Sequence, residues 1–254
     1  MRIVLFSRVP RWYSFKGDRC VGRLAREGHQ IAGVVVEQMP TLSALREWLE
    51  KLGPRVLAEK AAWKLLTRLA LGQKGPSKSV LDSAPGSNAV RPPVYVVDSH
   101  NSPGCVEMVR TMNPDVIVLR GCGIIKKPIL EVPRVGTLNA HYGLLPTYRG
   151  RDVTEWAVLH GGPIGVTVHF VSEGVDVGAV LASRLVSVER GDTLGRLREK
   201  SAALAVELFV EVLAQLEAGS SRPVPQDTNQ GRQYFAMHPR LKKLANERLK
   251  RIGR

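Results

Sequence analysis

Asp115-Val116-Ile117-Val118-Leu119, followed at once by Arg120-Gly121-Cys122-Gly123, decides the fold. A short apolar run with no polar alternation, stopped by glycines, is the pattern of a strand covered on both faces. Upstream, Val94 to Val97 is another strand, and Ser102-Pro103 opens a helix as N-cap and first-turn residue. Downstream, Val135 to Ala140 is a strand that ends at His141. Thr154 to Leu159 is a short helix, Ile164 to Val171 and Val180 to Val188 are strands, and Thr193 to Glu217 is a long amphipathic helix. The first forty residues repeat the rhythm: strand Arg2 to Phe6, helix Gly17 to Glu27 stopped by Gly28, strand Ile31 to Val36. Alternating strands and helices predict an α/β fold: an open, doubly wound, mostly parallel sheet.

Pro40 to Pro92 interrupts this rhythm. Thr41 to Leu52 and Pro54 to Leu71 have the spacing of two basic amphipathic helices, and Gly72 to Pro93 is a Gly, Pro and Ser-rich loop. The expected organisation is a catalytic domain over 1–219, carrying a helical insert at 40–92, and a basic C-terminal extension over 220–254.

The chain has 254 residues, 44% hydrophobic and 24% charged, which excludes wholesale disorder. No window approaches eighteen uninterrupted apolar residues, and the apolar run before Ser7 and Arg8 is too short for a secretory core. Cys20, Cys105 and Cys122 are odd in number and far apart, so they predict neither a disulfide framework nor a metal site, and they fit the cytoplasm. The net charge of +14 is local: Arg232 to Arg254 contributes +7 and Pro40 to Pro92 contributes +5. An insert and a tail of this sign can attract phosphates, but they are more often solvated, so the expected partner is a small-molecule amine, with nucleic acid the less favoured one. Tyr234, Phe235, Met237 and Leu241 make the tail apolar enough to dock on the core.

In open α/β sheets, ligands bind outside the carboxyl ends of the strands. Three strands here run into polar segments: Arg120 to Gly123, Asn139-Ala140-His141, and Ser172 to Gly178. Asn139 and His141 are two apart, so on extended backbone they share a side. An amide and an imidazole aimed at one spot can stabilise an oxyanion. Asp176 could set the ionisation of that imidazole or accept a proton from a nucleophile. Taken alone, Asn139 and Asp176 are more often turn caps and His141 a surface histidine; the surrounding sequence reverses that. His169 is expected as a packed strand histidine and His160 as a helix C-terminal residue suited to the dipole.

Asn139-x-His141-x-x-Leu144-Leu145-Pro146-x-x-Arg149-Gly150, then Gly165 to His169, then Val171-x-x-Gly174-x-Asp176-x-Gly178, resembles the formyltransferases that use 10-formyltetrahydrofolate. The similarity covers about Pro93 to Glu217, with 1–39 matching as a strand-helix-strand unit and 40–92 and 220–254 outside the shared core. The resemblance implies that Asn139 and His141 polarise a formyl carbonyl, and that Asp176 helps move the proton off an attacking amine. It also implies a folate pocket formed by Arg120, Gly121, Cys122, Gly123, Ile124, Val171, Glu173 and Gly174. Tyr142-Gly143 stands where most relatives have a small residue or proline and then serine. The turn Ser7 to Trp12 carries no glycine, which speaks against a ribonucleotide acceptor of the purine pathway.

The expected function is therefore N-formyl transfer to a small amine, with a nucleotide-linked amino sugar favoured by the basic, aromatic entrance Arg8, Arg11, Trp12 and Tyr13. The alternatives are a methionyl-tRNA formyltransferase-like enzyme and a non-catalytic basic nucleic-acid-binding protein. Against the tRNA enzyme stand the thirty-seven residues after Glu217, too few for a separate barrel.

Overall fold

The computed structural model describes residues 1–9, 19–38 and 92–252. The two helices and the loop expected between Pro40 and Pro92 lie almost wholly outside the described residues, as do Arg11, Trp12 and Tyr13.

In chain order the elements are β1 (Arg2–Val9), α1 (Arg19–Arg26), β2 (Gln30–Gln38), β3 (Val94–Val97), α2 (Pro103–Thr111), β4 (Val116–Arg120) and α3 (Lys127–Leu130). There follow β5 (Gly136–His141), β6 (Tyr148–Gly150), α4 (Val153–His160), β7 (Gly165–Phe170), β8 (Val180–Leu185) and α5 (Leu194–Glu217). A turn of 3₁₀-helix at Thr228–Gln230, then β9 (Arg232–Tyr234) and α6 (Pro239–Ile252), complete the described chain.

Among the described residues, seven strands form one sheet in the order β3-β2-β1-β4-β5-β7-β8. β1 to β5 run parallel, whereas β7 is antiparallel to β5 and to β8. The central strands alternate between two cores. Ile3, Leu5, Val116 and Val118 pack with α1, α4 and α5, while Val4, Phe6, Ile117 and Leu119 pack with α2 and α3. Both faces are thus buried, which is why these strands carry no polar alternation. Ser102 accepts the Cys105 N–H at the start of α2, and Thr193 accepts the Arg196 N–H at the start of α5. No helix among the described residues is long and apolar enough to cross a membrane.

The extension beyond α5 is not a trailing arm. β9 pairs in parallel with β6, and α6 packs on α4. Met237 and Ala245 are buried. Lys242 Nζ lies 2.6 Å from Asp152 Oδ2, and the Met237 N–H donates to the same oxygen at 3.0 Å. Phe235 departs from the docking expectation: it is 71% exposed.

Candidate active site

The strand order reverses between β1, whose onward connection leads to β2, and β4. The crevice beyond such a reversal is where α/β sheets bind ligands. A cleft of about 1100 Å³ occupies it, lined from β1 by Arg8, from the end of β4 by Leu119 to Ile125, and from β5 by Asn139 to His141.

His141 is the last residue of β5 and is buried, not the surface histidine its position after a strand would suggest. Its Nε2 donates to the Tyr148 carbonyl at 2.7 Å. Its Nδ1 faces Asp176 Oδ2 at 3.4 Å, and that oxygen accepts the Gly150 N–H at 2.8 Å. The other carboxylate oxygen, Oδ1, lies 3.6 Å from His169 Nε2. His169 Nδ1 donates to the Phe170 carbonyl at 2.7 Å, and His169 Nε2 receives the Asn139 amide at 3.2 Å.

Both rings therefore commit one nitrogen as a donor to backbone, and in the neutral form each turns a lone pair inward. Burial holds His141 below the ordinary histidine pKa, outweighing the pull of the Asp176 charge. Burial alone would raise the Asp176 carboxyl. A proton on His169 or His141, together with the Gly150 N–H, outweighs it, so its pKa is lowered. The result is a carboxylate beside a neutral imidazole lone pair, a place where one incoming proton is shared. The Asn139 amide keeps a second hydrogen that a substrate carbonyl could accept.

Asp176 reaches this spot by a route that the parallel-sheet rule does not supply. β7 is antiparallel, so the segment 171–179 must fold back, closing with Phe170 N–H to the Ala179 carbonyl at 2.9 Å. Asp176 sits at φ 54°, and a Cβ on Gly178 would lie 1.8 Å from the Phe170 carbonyl oxygen. Only glycine fits there, which explains the second half of the motif. Thr167 braces the opposite side: its hydroxyl donates to the Gly143 carbonyl and accepts the Leu145 N–H and the Ser183 hydroxyl.

The sequence-derived pocket residues Arg120, Gly121, Cys122, Gly123, Ile124, Val171 and Gly174 all line the cleft. Glu173 does not; it borders a smaller adjoining pocket with Lys126 and Lys127. Burial pushes the Cys122 thiol up to about 12, so it is no nucleophile. Sequence reasoning missed the contributions of His169 and of Arg151, Gln233, Tyr234 and Phe235 to the cleft. His169 stands directly across from Asn139 in the antiparallel pairing of β5 and β7, a register that the sequence does not carry. His160 ends α4 as expected, and its ring stacks on Tyr148 at 6.1 Å.

An open α/β sheet with a polar cleft at its switch point defines a Rossmann-like ligand-binding domain. The particular family follows from the sequence: the Formyl transferase family profile matches residues 55–213, and the chain belongs to that family. The match takes in 55–92, which the motif reading had left outside the shared core. Methionyl-tRNA formyltransferase of Lachnospira eligens is 34% identical over 175 residues, 67% of this chain and 56% of that protein. The chain thus spans little more than half the length of this relative. A sugar N-formyltransferase from Shewanella sp. superposes with a TM-score of 0.60 at 14% identity, covering 98% of this chain and 87% of that one. The formyltransferase PseJ from Anoxybacillus kamchatkensis, solved with UDP-4,6-dideoxy-4-formamido-L-AltNAc and tetrahydrofolate, gives 0.50 at 19% identity over 92% and 86%.

Proposed function

We propose that this chain transfers the formyl group of 10-formyltetrahydrofolate to the amine of a small acceptor, a nucleotide-linked amino sugar. The observation that carries the reading is Asp176, placed against His141 and the Gly150 N–H through one oxygen and against His169 through the other. Bound donor supplies the formyl carbon. The cleft fits its flat ring: Leu119, Ile125 and Val171 give an apolar wall, and Gly121 leaves main chain open beside it. The donor-side residues are then Arg120, Gly121, Cys122, Gly123, Ile124, Val171 and Gly174, with Glu173 at the margin.

Asn139 donates to the carbonyl oxygen as negative charge develops there. The amine proton passes to the shared position between Asp176 and His141 Nδ1 and from there to the folate nitrogen as its bond to the formyl carbon breaks, while Tyr148 holds the imidazole in the tautomer that leaves Nδ1 bare. The His169–Asn139 hydrogen bond orients the amide. The test is incubation with 10-formyltetrahydrofolate and a panel of nucleotide-linked amino sugars, reading the gain of one formyl group by mass spectrometry.

The names of the curated relatives favour a second acceptor, methionyl-tRNA. The exposed basic residues Arg240, Lys243, Lys250 and Arg251 on α6 would suit an RNA backbone. Charged initiator tRNA therefore belongs in the same panel. Its formylation, with every nucleotide-linked amine inert, would replace the first reading by this one.

A further inference from the structure

We propose that Phe235 and Arg151 form the acceptor subsite, taking the base and the phosphate of a nucleoside phosphate that carries the amine. The proposal rests on the formyl-transfer reading for the identity of the reacting centre, and adds how the acceptor is held there. Phe235 is 71% exposed, yet it lines the same cleft as His141 and Asp176. It is an exposed ring on a fixed backbone: its carbonyl accepts the Trp156 indole N–H at 2.9 Å. Two residues on, the Met237 N–H is held by Asp152. A large apolar side chain held outward at the mouth of a polar cleft is a stacking platform for a planar ring.

Arg151 comes beside it through strand pairing. β6 and β9 run parallel with Gly150 opposite Tyr234, and the Arg151 N–H donates to the Tyr234 carbonyl at 2.9 Å. Arg151 and Phe235 are the first residues past the ends of the two strands. Both are exposed, and both line the cleft. Two other cleft arginines are paired with carboxylates: Arg8 with Glu37 at 2.9 Å, and Arg198 with Glu155 and Asp152. Arg151 has no carboxylate partner among the described residues, so its planar fork remains for a phosphate. It also follows Gly150, whose N–H holds Asp176. A phosphate on Arg151 is therefore placed within one residue of the group that takes the amine proton.

One ring beside one unpaired guanidinium fits a single nucleotide. Two cations of α6 that could have extended the patch along an RNA are engaged within the protein: Lys242 on Asp152 and Arg248 on the Leu159 carbonyl. The exposed Arg240, Lys243, Lys250 and Arg251 of α6 do not line the cleft, so the cleft itself favours a small nucleotide-linked acceptor.

The experiment is calorimetric titration of UDP, dTDP, GDP and ADP into the full chain without folate, repeated with Phe235→Ala, Phe235→Trp and Arg151→Met. At least one nucleotide should bind to the wild type. Phe235→Ala and Arg151→Met should each weaken that binding tenfold or more, Phe235→Trp should retain it, and inorganic pyrophosphate should bind weakly and ignore the change at Phe235. Circular dichroism confirms that the exposed variants fold. Absence of nucleotide binding, or binding indifferent to both losses, overturns the proposal. So does tRNA binding that both variants abolish and no nucleotide displaces, which would assign the subsite to RNA. Failure of the formyl-transfer reading shows separately, as nucleotide binding with these sensitivities while the wild type moves no formyl group to any amine.

Discussion

Nδ1 of His141 stands 3.4 Å from Oδ2 of Asp176 while Nε2 of the same ring donates to the Tyr148 carbonyl. That double engagement fixes the ring plane and the tautomer together. A histidine free to rotate would have to find both at each turnover, so in the proposed reaction the backbone carbonyl of Tyr148 and the N–H of Gly150 supply the preparation.

Removing either member of the pair should be costly to turnover. Asp176→Asn and His141→Ala are each expected to lower kcat by about 10²–10⁴, and Asn139→Ala by about 10²–10³. Because the groups act on one proton and one oxyanion, the His141→Ala, Asp176→Asn double variant should fall far short of the product of the single losses. Steady-state kinetics with the formylated amine as readout decides this; near-wild-type turnover of either single variant would remove the assignment.

Acid should destabilise the protein through the same two residues. His141 is held below its ordinary value of 6.5 by burial. The unfolded chain therefore binds that proton first, and the contribution of the neutral ring, complete above about pH 6.5, is lost as pH falls toward the folded value. The lowered Asp176 carboxyl acts further down: its contribution is complete above about pH 3.9 and is lost as pH falls through the folded value. Melting temperature should decline from about pH 6.5 downward, and His141→Gln should flatten the upper part of that decline. A wild-type melting temperature that is level between about pH 7 and pH 5 would contradict it.

Gly150→Ala tests the coupling between the tail and the carboxylate. Gly150 sits at φ 98°, and a Cβ there would lie 2.1 Å from the Tyr234 carbonyl oxygen. The substitution should destabilise by more than about 1 kcal/mol, separate β9 from β6, and lower turnover by loosening the Asp176 contact. Denaturant midpoint, amide exchange at Arg151 and kcat should move together. A change in stability with kcat untouched would show that the Gly150 N–H is dispensable to the reaction.

Two phenylalanines should separate packing from recognition. Phe209 on α5 is fully buried in the core, so Phe209→Ala is expected to cost about 3–5 kcal/mol. Phe235→Ala, at a side chain 71% exposed, should stay within about 0.5 kcal/mol of wild type. Chemical denaturation measures both; a large loss at Phe235 would mean that the ring supports the tail.

The amino-acid sequence by itself determined the sheet and its two cores. Runs such as Val116 to Leu119 have one energetically acceptable placement, between two apolar layers, and Ser102 and Thr193 announce their helices through local hydrogen bonds. Asn139, His141 and Asp176 were legible as well, because strand ends and a Gly-x-Asp-x-Gly loop leave a local pattern. The direction of β7, the partners of His169 and the place of the tail were decided by tertiary structure. Antiparallel and parallel strands carry the same residue types, so nothing local showed that His169 lies across from Asn139. Nothing local showed either that Tyr234 and Gly150, 84 residues apart in the chain, are partners: they meet only because β9 completes the hydrogen bonds of β6. Phe235, which hydrophobicity alone would dock, is instead 71% exposed at the cleft, just past the end of β9. Backbone hydrogen bonding, settled across the whole chain, outweighed the preference of one side chain.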